Sequence, residues 1–118
     1  MTAWVNGRIV DGSATLDVRD RGFTLGDGIF ETIAVVDGVP LRLHMHLVRL
    51  AAGAAALSIP IRYGEADIAS AIDVLLGAAG ITEGAVRLTL SRGVGARGVA
   101  MPADPTPTVT MTAAAMRI

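Results

Sequence analysis

Between Leu43 and Ala79 the apolar residues recur at helical spacing, and on either side of that block they alternate every second residue. A period of 3.6 stacks side chains on one face of a helix, and a period of two puts them on one face of a strand. The switch from two to 3.6 and back therefore dictates a mixed architecture. Leu43, Leu47, Leu50, Ala54 and Leu57 form the stripe of a first amphipathic helix that ends before Pro60. A second helix is expected from about Glu65 to Ala79, with Ile68, Ile72, Leu75 and Ala79 on one face. Glu65 and Asp67 suit its positive N-terminus, and Gly80 stands where a left-handed C-cap residue belongs.

Before the helices, Trp4 to Val10 reads as a hairpin, with Asn6-Gly7 supplying the two positive-φ positions of a type I′ turn. Ala14, Leu16 and Val18 alternate with polar neighbours and fit a short strand or extended segment. Asp20 to Gly28 is too rich in glycine for regular structure and is expected to be a loop. Ile29 to Val36 is β-branched and apolar, a strand, and Asp37-Gly38 turns it into a second strand from Val39 to Leu43. Pro40 cannot donate to a ladder, so that second strand belongs at an edge or a bulge. After the helices, Val86, Leu88 and Leu90 alternate with Arg87, Thr89 and Ser91, and Thr108 to Ala113 alternates again. Strands, two helices, then strands, with no β-α-β alternation, imply one α+β domain over residues 1–118. Its core is an antiparallel β-sheet with two α-helices packed on one face.

The chain has 118 residues, 52% apolar and only 18% charged, with a mean hydropathy of +0.55. That excludes disorder and leaves apolar surface to spare, which usually meets a partner. A net charge of −1 gives no support for a nucleic-acid or membrane partner. There is no cysteine, hence no disulfide and no thiolate chemistry. The N-terminus carries no signal-peptide pattern. The most apolar window, Leu47 to Ile59, falls short of the about 20 residues that span a bilayer. A soluble, cytoplasmic protein is the expectation. All ten basic residues are arginine, so the chain has no lysine for any mechanism that needs one.

Three segments could carry chemistry. Arg49 follows His46 by one helical turn, and its planar donor fork suits a phosphate or carboxylate, although a solvated side chain has the same signature. His44 and His46 do not share a helix face and no carboxylate cluster joins them, so no metal site is expected. Arg92-Gly93-Val94-Gly95-Ala96-Arg97-Gly98 is either an anion cradle or a flexible connection, and it lacks the lysine and hydroxyl ending of a P-loop. Asp20 to Thr32 packs a carboxylate, an arginine and several glycines beside a strand, which names no reaction by itself.

Together these segments resemble the fold-type IV pyridoxal-phosphate enzymes. That family includes branched-chain aminotransferases, D-amino-acid aminotransferases and 4-amino-4-deoxychorismate lyases. The resemblance runs from the Asn6-Gly7 hairpin to the last strand. Asp20-Arg21-Gly22 through Gly26-Asp27-Gly28-Ile29-Phe30-Glu31-Thr32 carries it most specifically. His46-Leu47-Val48-Arg49-Leu50 and Leu90-Ser91-Arg92-Gly93-Val94-Gly95-Ala96-Arg97-Gly98 follow in order. It implies that Arg49 holds the cofactor phosphate, that Arg87 faces a substrate carboxylate, and that Arg97 is similar to the loop arginine of the lyases. Phe30 is implied as a pocket wall, and Thr32 falls where the lyases carry a threonine able to move a proton.

The implied parent is a 4-amino-4-deoxychorismate lyase of folate synthesis, releasing 4-aminobenzoate and pyruvate. A D-amino-acid or branched-chain aminotransferase is the alternative, acting like the lyase on a small amino substrate. In the family the Schiff-base lysine lies in a second domain, which this chain lacks. The isolated chain is therefore expected to be inactive and to bind no pyridoxal 5'-phosphate, while keeping part of a homodimer interface. A non-catalytic dimerising or pairing module is the reading from another class.

Overall fold

The computed structural model describes residues 1–95 and 100–118. Among them the chain forms β1 (Thr2–Val5), β2 (Arg8–Asp11), α1 (Arg21–Leu25), β3 (Gly28–Val36), β4 (Val39–Pro40), α2 (Leu43–Leu57), α3 (Glu65–Ala79), β5 (Gly84–Ser91) and β6 (Thr108–Ala115). The strands make one antiparallel sheet in the order β2-β1-β6-β5-β3-β4. The α+β expectation holds, and α1 is added to the two helices read from the sequence.

The alternation of β5 becomes two unlike faces. Val86, Leu88 and Leu90 are fully buried with Ile33 and Val35 of β3 and Val109 and Met111 of β6. On that side α2 contributes Leu50 and Ala54, and α3 contributes Ile68, Ile72, Leu75 and Leu76. Each such Val, Leu, Ile or Met side chain taken out of water stabilises the fold by roughly 1.5–3 kcal/mol. Trp4 joins this core and meets Tyr63 edge to face, with ring centroids 5.2 Å apart. The other face carries Phe30, Thr32, Arg87, Thr89, Thr110 and Thr112, brought side by side by the register of β3, β5 and β6.

Local signals account for most boundaries. Asn6 and Gly7 have φ of 48° and 95°, the mirror-image turn that joins strands tightly. Gly80 ends α3 at φ 68°, and Asp67 accepts the Gly64 N–H at 3.0 Å where α3 starts. Of the short strand or extended segment read at Ala14, Leu16 and Val18, no strand forms, and Leu16 and Val18 are exposed. Two expectations change. The second strand after Asp37-Gly38 stops at Pro40, since Arg42 turns left-handed (φ 55°) and starts α2. Residues 21–25, read as loop, are helical. Asp20 accepts the Gly22 N–H at 2.8 Å and Gly26 closes the turn at φ 64°, so the flanking residues cap a helix that the glycine count argued against.

Candidate active site

Two arginine groups must be told apart. Arg21 and Arg92 are buried, and both bind Asp27: Arg21 Nε donates to Oδ2 at 2.8 Å and Arg92 Nε donates to the same oxygen at 2.7 Å. Arg92 also donates to the carbonyls of Leu57 at 2.7 Å and Ser58 at 3.3 Å, and Arg21 to that of Ala100 at 3.0 Å. Arg92 first, and Arg21 second, hold the Asp27 carboxyl below the usual carboxylate range against the opposing effect of burial. Beside them Asp20 accepts from Ser91 Oγ at 2.6 Å and from Thr108 Oγ1. Gly22 permits this packing, since a Cβ there would stand 2.7 Å from that of Ser91. Arg92, half of the proposed anion cradle, is thus spent on tying β5 to the end of α2. Arg97 and Gly98 lie outside the described residues.

Arg49 stands at the open edge of β3. Its Nε donates to Glu31 Oε1 and Oε2 at 3.1 and 3.0 Å, and its Nη2 donates to Oε1 at 2.7 Å. His46 Nδ1 lies 2.7 Å from the same Oε1. Glu31 is buried, and Arg49, with a smaller contribution from His46, holds its carboxyl below the usual range despite that burial. The Arg49 side chain is itself 72% exposed, so one side of its guanidinium is fastened and the other is open. It lines an edge cavity of about 340 Å³ with Gly28, Phe30, Glu31 and Gly53. Sequence reasoning found Arg49 but not Glu31 or His46 as its partners.

Phe30 and Arg87 meet on the open face of the sheet. The Arg87 guanidinium carbon sits 3.8 Å from the Phe30 ring centroid, a cation–π contact that holds the side chain flat without neutralising it. Both line a cavity of about 440 Å³ with Thr89, Thr108, Thr110, Ser91 and Phe23. Thr32 is opposite Arg87 across the β3–β5 ladder, on the same face, just beyond that lining. The open-face cavity and the edge cavity share Gly28, Ile29 and Phe30, so Arg49 and Arg87 look onto adjoining spaces. A separate cavity of about 350 Å³ between α2 and α3 is floored by Leu88, Leu90 and Val109, and its apolar lining offers no cation to an anion. Among the described residues there is no cluster of metal-ligating side chains, and no helix is long and apolar enough to cross a membrane.

Known proteins resemble this chain in sequence and fold. The amino-transferase class IV family model matches residues 28–118. A D-alanine aminotransferase from Bacillus licheniformis is 32% identical over 111 residues, 93% of this chain and 39% of that protein. The crystal structure of 4-amino-4-deoxychorismate lyase from Pseudomonas aeruginosa superposes with a TM-score of 0.80 at 39% identity, covering 96% of this chain and 39% of that one. The PLP-bound form of a hypothetical aminotransferase from Mycobacterium tuberculosis gives a TM-score of 0.79 at 28% identity, covering 98% and 39%. This chain therefore spans about two fifths of the length of these relatives.

Proposed function

Because the chain belongs to the class IV aminotransferase family, we propose that it is the N-terminal domain of a two-domain pyridoxal-phosphate enzyme. The activity we assign to the whole enzyme is that of a 4-amino-4-deoxychorismate lyase. The phosphate end of the cofactor suits what is present: Arg49 is anchored on one side by Glu31 and open on the other. The aldehyde end does not find its partner here, since the chain has no lysine. That lysine is assigned to residues outside these 118, and the isolated chain is expected to be inactive.

When bound, pyridoxal phosphate supplies an electron sink for the reacting carbon. The residues of this chain do the rest of what falls to it. Arg49 pairs with the phosphate through a charge-assisted hydrogen bond. Arg87, lying on Phe30 and flanked by threonines, receives a substrate carboxylate. Phe30 walls both adjoining cavities. Thr32 Oγ1, on the same face and opposite Arg87, moves a proton at the substrate. Arg97 is assigned to the substrate as well, from the Arg-Gly loop pattern alone.

The observation that favours the lyase is Thr32 set against Arg87 on the open face, supported by the 39% identity to the Pseudomonas lyase. The D-alanine aminotransferase likeness favours the second reading, a D-amino-acid aminotransferase. The full-length protein carrying these residues decides between them. The lyase reading predicts release of 4-aminobenzoate from 4-amino-4-deoxychorismate, lowered by about 10²-fold or more in Thr32→Val. Faster amino transfer from D-alanine to a 2-oxo acid, indifferent to Thr32→Val, would establish the aminotransferase instead.

A further inference from the structure

His46 and Arg49 share one oxygen of Glu31. Glu31 Oε1 accepts from Arg49 Nη2 at 2.7 Å and lies 2.7 Å from His46 Nδ1. Arg49 keeps the Glu31 carboxyl below the usual range, so it remains ionised down to mildly acidic pH. An ionised carboxylate can only accept, so His46 Nδ1 carries a proton and Nε2 is left to gain or lose one. The ring is 20% exposed, enough to exchange that proton with water.

The charges then sum simply. With a neutral imidazole, Glu31 and Arg49 cancel and the cluster carries zero. With a doubly protonated imidazole it carries +1. The other charged groups facing this region do not duplicate the switch. Arg42 lines a cavity of about 600 Å³ together with His44, His46 and Arg49, and its charge is fixed. His44 is held by Glu65 of α3 at 2.7 Å, away from Glu31. Glu31 is the sole ionisable residue of β3.

We propose, resting on Arg49 as the phosphate ligand, that His46 sets the net charge of this anion site. Anion binding then tightens when the imidazole carries its second ring proton. The pH dependence belongs to the protein and not to the ligand, so the probe must be an anion of fixed charge. Sulfate meets that need where phosphate does not.

The test titrates the 118-residue chain with sodium sulfate near pH 5.5 and near pH 8, following the backbone amide shifts of residues 46–53. Binding is expected to be about fivefold tighter at the lower pH, the effect of one added unit charge on a dianion about 8 Å away under water-like screening. His46→Gln should remove the pH response, and His44→Gln should keep it. His46→Asn serves as a second variant if His46→Gln disturbs α2 by circular dichroism. A response that survives both His46 variants, or that disappears in His44→Gln, overturns the role of His46 while Arg49 stands. Sulfate binding that survives Arg49→Gln, or no binding by the wild-type chain at either pH, overturns Arg49 as the anion ligand and His46 with it.

Discussion

Arg21 and Arg92 differ from Arg49 and Arg87 in one respect: how much of each side chain is left open to solvent. The side chains of the first pair are 6% and 5% exposed and converge on a single carboxylate, Asp27, inside the fold. The Arg49 side chain is 72% exposed, and Arg87 lies exposed on an aromatic ring, with no carboxylate bound to it among the described residues. A buried guanidinium must be matched by the protein's own acceptors, so the first pair is committed to structure. An exposed and pre-oriented guanidinium keeps its donors for a ligand. We propose that the same residue type thus does two jobs in one small domain, with burial deciding which.

Several substitutions sharpen or break that contrast. The largest effect is expected at Asp27. Asp27→Asn leaves two buried arginines without their countercharge and should cost about 3–5 kcal/mol in urea unfolding. A loss below about 1 kcal/mol would place Arg21 and Arg92 among the ligand-binding cations instead. Acid titration comes next. Asp27 and Glu31 have carboxyls held below their unfolded values. The stability they contribute is complete above the ordinary carboxylate range, about pH 4, and is lost as pH falls through their lower folded values. Urea midpoints should therefore drop between about pH 5 and pH 2, and less steeply in Asp27→Asn than in the wild-type chain. The smallest effect is at Arg87. Arg87→Gln should change stability by no more than about 1 kcal/mol, the size of an exposed cation–π contact. In the full-length enzyme it should raise KM for the carboxylate substrate by much more than it lowers the folding midpoint.

Much of the fold was legible because its signals are local. Asn6-Gly7, the Leu43–Leu57 stripe, Gly80 and the alternation of β5 each specify geometry within a few residues, and each appears where expected. The short helix at Arg21–Leu25 was misread because three glycines in nine residues outweighed the caps on either side. Asp20 and Gly26 were the signal that could have found it. The arginine clusters were legible only in part. Arg49 stands out in sequence, but its partner Glu31 lies 18 residues away and meets it only through the packing of α2 on β3. Arg92 looked like an anion ligand because nothing local shows that Asp27, 65 residues earlier, will neutralise it. Pairings across the sheet are set by tertiary structure, and a single sequence does not display them.

We propose that this domain carries the phosphate end of a pyridoxal-phosphate site and not the end that retains the cofactor. Equilibrium dialysis of the 118-residue chain against pyridoxal phosphate tests it directly. No stoichiometric retention is expected at micromolar cofactor, whereas the full-length protein should retain one equivalent that is weakened in Arg49→Gln. Retention of one equivalent at micromolar cofactor by the 118-residue chain alone would contradict it.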